Sequence, residues 1–88
     1  MLSNEKVVDI VIPQVGESAD EEVIIVKWKK KVGDHVEKGE LLLEIETGKG
    51  AMELESVYEG VLVEIIADVE STVHALSPVG RIRIDQEK

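Results

Sequence analysis

Residues 41–55 read Leu-Leu-Leu-Glu-Ile-Glu-Thr-Gly-Lys-Gly-Ala-Met-Glu-Leu-Glu, in which two runs of alternating apolar and acidic residues flank a central Gly-Lys-Gly. Alternation with a period of two is typical of strands with one buried face, and two such runs around a glycine-containing break predict a β-hairpin. Gly48 and Gly50 tolerate the positive φ that tight turns require. Lys49 is therefore expected at the tip of the turn with its side chain in solvent, a geometry that suits a lysine destined for covalent modification.

The rest of the chain has the composition of further short strands separated by turns. Trp28 and Tyr58 are the only aromatic residues, so valine, isoleucine and leucine must fill the core, which favours sheet. No segment keeps a helical apolar period for ten residues, and an all-β domain is expected. The apolar runs predict strands over residues 7–12, 23–29, 61–67 and 79–84 in addition to the hairpin, with a bend at 32–36 and mostly loop over 13–22 and 68–78.

An internal repeat links the two halves of the chain. Adding 37 to a residue number in the first half gives a similar residue in the second for four pairs, Val26/Val63, Val32/Val69, Val36/Val73 and Ile45/Ile82. The match fails at two glycines, because Gly33 falls on Glu70 and Gly39 falls on Leu76. Short strands that repeat at this spacing predict two similar half-domains that bury one core, as a flattened sandwich or barrel of two small sheets.

Composition limits the classes of partner and compartment. The chain has 88 residues, which suits one domain, and its formal net charge of −9 argues against nucleic acid or an anionic membrane as partner. The absence of cysteine leaves the compartment open. Because the chain has no signal or transit segment and no long apolar run, we expect a soluble protein, in bacterial cytoplasm rather than the mitochondrial matrix. We expect a flexible N-terminus over 1–6, the domain over 7–84, and a tail or linker start over 85–88.

No catalytic or metal-binding constellation is predicted. A phosphate-binding loop ending in Gly48-Lys49 would need glycine where Leu43 stands and serine or threonine where Gly50 stands. His35 and His74 have no ligand spacing, so no metal site is expected. The glutamates of the hairpin alternate along its strands, which indicates a solvated face rather than an acid–base pair.

Four motifs, in this order, carry a resemblance to a known family. They are residues 15–18 (Val-Gly-Glu-Ser), 26–28 (Val-Lys-Trp), 32–39 (Val-Gly-Asp-His-Val-Glu-Lys-Gly) and 44–49 (Glu-Ile-Glu-Thr-Gly-Lys). Together they resemble the lipoyl domain of the dihydrolipoamide acyltransferase component of 2-oxo acid dehydrogenase complexes, over residues 8–84. The resemblance implies a fold of two four-stranded antiparallel sheets with quasi-twofold symmetry, the lipoyl/biotinyl hammerhead fold.

The resemblance also implies a function for particular residues. Lys49 matches the lysine that receives lipoate through an amide, so the domain would be a non-catalytic swinging-arm carrier of acyl groups and reducing equivalents. Gly16 and Glu17 match a loop that lies near the lysine turn and helps the partner dehydrogenase recognise the domain. The implied partners are the 2-oxo acid dehydrogenase component, the acyltransferase core, dihydrolipoamide dehydrogenase and a lipoate-attaching enzyme.

The chain departs from the family pattern at three places. Gly48 and Gly50 stand where the family usually has aspartate and alanine or valine, which predicts a more mobile turn and bears on partner recognition. The stretch 16–28 is one residue longer than the commonest form, and 69–71 read Val-Glu-Ser where Gly-Asp is typical. A biotinyl domain is the nearest alternative, although biotinyl lysines usually lie between two methionines. An unmodified structural or interaction module of the same fold is the other alternative.

Overall fold

The computed structural model describes residues 5–14, 16 and 21–85, and over these ranges the chain is all β. The described residues form eight strands, β1 (Glu5–Val11), β2 (Glu22–Trp28), β3 (His35–Val36), β4 (Leu41–Thr47), β5 (Gly50–Glu55), β6 (Gly60–Ile65), β7 (Thr72–His74) and β8 (Pro78–Asp85). No helix in the part of the chain so described is long and apolar enough to cross a membrane.

The strands form two four-stranded antiparallel sheets. One sheet has the order β1-β8-β6-β3 and the other has the order β5-β4-β2-β7. The all-β class and the two four-stranded sheets are confirmed. The strands at either end of the chain reach slightly beyond residues 7–84, because Glu5 pairs with Asp85; residues 1–4 and 86–88 lie outside the description.

Two short strands escaped the sequence prediction. β3 lies in the segment expected to be a bend, and β7 lies in the segment expected to be loop. They pair with β6 and β2 through only two and three residue pairs respectively, which is too few to produce an alternating pattern in the sequence. The expected end of the strand at residue 67 was also wrong, because β6 ends at Ile65 and the next two amide groups both donate to the carbonyl oxygen of Val79.

The repeat at 37 residues is a structural repeat. A shift of 37 in residue number brings β2, β3 and β4 onto β6, β7 and β8. The two sheets have equivalent strand orders under the same shift. The Gly33 amide donates to the Leu62 carbonyl oxygen at 2.7 Å, and its counterpart, the Glu70 amide, donates to the Ile25 carbonyl oxygen at 2.6 Å. Because each half of the chain closes its turn on the other half, neither half is complete alone.

Both sheets contribute to one core. The side chains that are fully excluded from solvent come from strands of both sheets, and they include Val23, Ile25, Val36, Leu43, Ile45, Leu62 and Ile82. Trp28 lies at the rim of this core, half-buried, with its indole Nε1–H donating to the Ala67 carbonyl oxygen at 2.8 Å. The core therefore fixes the sheet that carries the hairpin against the other sheet.

The hairpin over 41–55 forms as predicted, but its burial differs in detail. A bulge between Leu41 and Leu43 shifts the β4–β5 register, so adjacent Leu42 and Leu43 are both buried. On the edge strand β5, Met52 remains 38% exposed although the alternation placed it with the apolar face.

Candidate functional site

The lysine turn is closed by a buried threonine hydroxyl. Thr47 and Gly50 form the last residue pair of the β4–β5 ladder, and Gly48 and Lys49 make the turn between them. The Lys49 amide donates to Thr47 Oγ1 at 2.9 Å, and the same hydroxyl donates to the Gly50 carbonyl oxygen at 2.9 Å. Thr47 is only 7% exposed, so this pair of bonds is shielded from water. The sequence prediction missed Thr47, whose signal is a hydroxyl residue two positions before the turn tip.

The two glycines of the turn have different roles. Gly50 has a φ of +115°, in the region that residues with a side chain rarely adopt. Gly48 has no positive φ, so the expectation that both glycines serve the turn backbone was wrong for Gly48. The greater mobility expected of the turn stays a prediction.

The Lys49 side chain is exposed at the tip of the turn and forms no ion pair with any residue that the structure describes. Its backbone, by contrast, is fixed through the Thr47 hydroxyl. A fixed backbone with a free amine is the arrangement that covalent attachment to a lysine requires.

The loop between β1 and β2 approaches the turn through one carboxylate. The side chain of Glu21 lies against Gly16 on one side and against Gly48 on the other. Gly16 is thereby placed close to the lysine turn, whereas Glu17 lies outside the described residues. The part that these residues and the turn glycines have in partner recognition stays a prediction.

An acidic face with a shallow apolar groove adjoins the turn. The groove, of about 390 Å³, lies over β2, β4 and β5 and has an apolar floor edged by glutamates, with the lining Val26, Glu44, Ile45, Glu46, Ala51, Met52 and Glu53. Lys29 Nζ lies 3.6 Å from the Glu44 carboxylate and 3.8 Å from that of Glu53. The glutamates of the hairpin thus form a mostly solvated face, as the alternation predicted.

The two histidines lie in different sheets. His35 on β3 is 3.5 Å from the Glu59 carboxylate, and His74 on β7 is 3.8 Å from that of Glu22. The two histidines therefore have different carboxylate neighbours.

Comparison with known proteins identifies the family. The family model for biotin and lipoyl attachment domains, described as "Biotin-requiring enzyme", matches residues 8–82. The chain is 43% identical over 74 residues to the dihydrolipoyllysine-residue acetyltransferase component of the pyruvate dehydrogenase complex of Corynebacterium glutamicum, which covers 84% of this chain and 11% of that protein.

Relatives from a second complex match equally well. Identity is 42% over 74 residues to the dihydrolipoyllysine-residue succinyltransferase component of the 2-oxoglutarate dehydrogenase complex of Bacillus subtilis, covering 84% of this chain and 18% of that protein. It is 37% over 76 residues to the corresponding protein of Escherichia coli K12, covering 86% and 18%. The chain thus spans less than a fifth of the length of these relatives. It belongs to the biotinyl/lipoyl carrier family, as a non-catalytic domain of the lipoyl type.

Proposed function

We propose that this domain carries a lipoyl group in amide linkage to Nζ of Lys49. The arm would shuttle acyl groups and reducing equivalents between the active sites of a 2-oxo acid dehydrogenase complex. The observation that supports this best is the exposed Lys49 amine on a turn whose backbone is fixed by Thr47.

The residues at the turn fit such a group. Gly48 and Gly50 have no side chains, so neither residue that flanks Lys49 obstructs an enzyme that approaches the amine. Amide formation needs only the neutral amine as nucleophile and an activated lipoyl carboxyl group, whose leaving group departs as the amine loses a proton. The dithiolane of the bound group would supply the acyl and redox chemistry, and the domain supplies attachment and reach.

A small, stiff domain is sufficient for this role. Tethering raises the effective concentration of the arm at successive active sites without additional contacts. The partners would be the dehydrogenase component, the acyltransferase core, dihydrolipoamide dehydrogenase and a lipoate-attaching enzyme. The relatives are bacterial components, which supports bacterial cytoplasm as the location.

Intact mass after modification tests the attachment. The 88-residue chain is incubated with lipoate, ATP and a lipoate ligase, and we expect a gain of one lipoyl group that Lys49→Arg abolishes. The matched control is Lys38→Arg, since Lys38 is also exposed and also precedes a glycine. This control should keep the full mass gain.

Three outcomes contradict the proposal. If the wild-type chain stays unmodified while a reference lipoyl domain is modified, the chain is a structural or interaction module. If the mass gain persists in Lys49→Arg, another lysine is the site. If biotin ligase with biotin modifies Lys49 and lipoate ligase does not, the biotinyl alternative is correct.

The complex that the domain serves is tested next. The lipoyl-loaded domain is offered to the dehydrogenase components for pyruvate and for 2-oxoglutarate, and the rate of reductive acylation is compared. A preference of tenfold or more for one component would assign the complex, and no acylation by either would contradict a role in these two complexes.

A further inference from the structure

The Glu21 carboxylate fills the space between the β1–β2 loop and the lysine turn. A Cβ atom built on Gly48 would lie 3.3 Å from Glu21 Oε2, and one built on Gly16 would overlap Glu21 Oε1. The backbone at Glu21 is held in place, because its carbonyl oxygen accepts a hydrogen bond from the Ala75 amide at 3.1 Å. One carboxylate therefore bridges two glycines that lie far apart in the sequence.

This contact gives a physical reason for the glycine at position 48. The backbone there has no positive φ, so conformation alone does not require glycine. A Cβ at 3.3 Å from a carboxylate oxygen is tighter than ordinary van der Waals contact, and a longer side chain would displace Glu21. Gly48 therefore leaves room for an acid supplied from elsewhere in the chain.

The Glu21 carboxylate lies against Gly48, the residue that precedes Lys49. Gly48 and Gly50 give a docking enzyme no side chain on either side of Lys49, so recognition of the turn depends on side chains that neighbouring segments place there. Glu21 is half-buried, its backbone carbonyl accepts a hydrogen bond from the Ala75 amide, and its carboxylate contacts the residue that precedes the lysine.

We propose that Glu21 is a specificity-determining residue for the modification of Lys49. Its carboxylate, held over Gly48, is the anionic contact through which the modifying enzyme recognises the turn. This inference rests on the proposed function, since it concerns the enzyme that loads Lys49.

The first test compares rates of lipoyl transfer by lipoate ligase. Glu21→Gln should lower kcat/KM about tenfold, mainly through KM, because one charge-assisted contact is lost. The matched control is Glu55→Gln, which removes the same charge from an exposed site at the far end of β5. The control should stay within twofold of wild type.

Two readouts separate recognition from a structural role. Glu21→Gln should melt at the same temperature as Glu55→Gln. Its kcat/KM should also fall less steeply with added salt than that of wild type, because a screened contact has been removed. A lower melting temperature with an unchanged salt dependence would show that Glu21 acts on the fold alone and would overturn the proposal.

Substitutions at the two glycines sharpen the test. Gly16→Ala keeps every charge but pushes the Glu21 carboxylate aside, so it should reproduce the loss seen in Glu21→Gln, and combining the two should add nothing. Gly48→Asp together with Glu21→Gln moves the acid onto the turn itself and should restore most of the rate.

The outcomes distinguish this inference from the proposed function. If wild type is modified and Glu21→Gln is modified at the rate of Glu55→Gln, the inference is wrong and the proposed function stands. If wild type is not modified at all, both are wrong.

Discussion

The two sheets are built from equivalent strands, yet they differ at one equivalent end. In one sheet, β4 and β5 are joined by Gly48 and Lys49 after the pair Thr47–Gly50. In the other, the corresponding strands β8 and β1 meet at the pair Glu5–Asp85 with no turn between them. The fold thus provides the same strand pair twice and carries the Lys49 turn on only one of them.

The outer faces of the two sheets also differ in charge. At the centre of the β1-β8-β6-β3 sheet, Arg81 donates to Asp9 Oδ1 at 3.0 Å and to Glu64 Oε1 at 2.9 Å. The hydrogen bond that Arg81 donates to Asp9, with the nearby charge of Glu64, raises the pKa of the Arg81 guanidinium above its ordinary value. The equivalent position on the lysine-bearing sheet is Glu44, which lies opposite a second acid, Glu53, in the β4–β5 pair. Lys29 Nζ lies 3.6 Å from the Glu44 carboxylate and 3.8 Å from that of Glu53. The acidic excess is therefore on the side where a partner would meet Lys49.

Truncation of equivalent core residues should have the largest effect. Ile25→Ala and Leu62→Ala remove fully buried side chains at positions related by the repeat. Each should lower the free energy of unfolding by about 3 kcal/mol, from lost burial and the cavity left behind. Urea denaturation measures the free energy of unfolding. The control is Val57→Ala, at a site that is 69% exposed, for which the free energy of unfolding should change by less than about 0.5 kcal/mol. A cost confined to one of the two would refute a core shared by both halves.

Substitution of Gly60 by alanine tests a position at which the two halves are not equivalent. A Cβ there would overlap the Arg83 carbonyl oxygen and lie 2.9 Å from Ile82 Cγ2, whereas the equivalent residue Val23 has a buried side chain. Gly60→Ala should therefore cost about 1–3 kcal/mol in thermal or urea unfolding, because backbone rather than a mobile side chain must move. The exposed neighbour Glu59→Gln should be close to neutral, and a neutral Gly60→Ala would mean that β6 and β8 separate easily.

Substitutions at backbone positions with positive φ should change the free energy of unfolding by a smaller amount, and in opposite directions in the two halves. Gly33 has a φ of +101° with nothing within 4 Å of an added Cβ, and its counterpart Glu70 adopts a φ of +69°. Gly33→Ala should lower the free energy of unfolding by about 1 kcal/mol from backbone strain alone. Glu70→Gly should raise the free energy of unfolding by about 0.5 kcal/mol, since the relief of backbone strain exceeds the cost of the added entropy of the unfolded chain.

The same comparison can be made at Gly39 and Leu76, which are also related by the repeat. Their φ values are +89° and +68°, and Leu76 is 54% exposed, so Leu76→Gly removes little packing. If both glycine substitutions in the second half were destabilising, strain would not be what separates the halves.

These positions also show what sequence reasoning could reach. The hairpin at 41–55 and the repeat were readable because alternation and spacing are local properties of the chain. The failed matches of Gly33 with Glu70 and Gly39 with Leu76 seemed to weaken the repeat, yet all four residues share one backbone conformation. Side-chain identity does not report φ when tertiary hydrogen bonds impose it, here the bond from the Glu70 amide to Ile25.

The candidate site was predictable in part for the same reason. Lys49 and the glycines lie in one continuous motif, and Gly16 followed from the resemblance. Thr47 and Glu21 were missed because their roles depend on folded geometry, a buried hydroxyl bond in one case and a contact between distant segments in the other. The expectation that Gly48 serves the turn backbone failed because the space it leaves is used by another residue.

The smallest expected effect is a pH dependence confined to the first half. Lys30 Nζ donates to Glu40 Oε2 at 2.7 Å and the Glu37 amide donates to Glu40 Oε1 at 2.9 Å, and both bonds lower the pKa of Glu40 from its ordinary value of 4.5. The repeat places Ala67 and Ser77 at the equivalents of Lys30 and Glu40, so the second half has no such pair.

The sign of the effect follows from proton binding. The unfolded chain takes up the Glu40 proton at a higher pH than the folded chain does, so the contribution to stability is complete above the unfolded pKa and is lost as pH falls through the folded pKa. Glu40→Gln should remove this part of the acid dependence while leaving the neutral-pH structure of the second half unchanged, because the pair is solvent-screened and distant from it. NMR titration of the glutamate side chains measures it. A Glu40 that titrates at or above its ordinary pKa would show that the contact with Lys30 does not persist in solution.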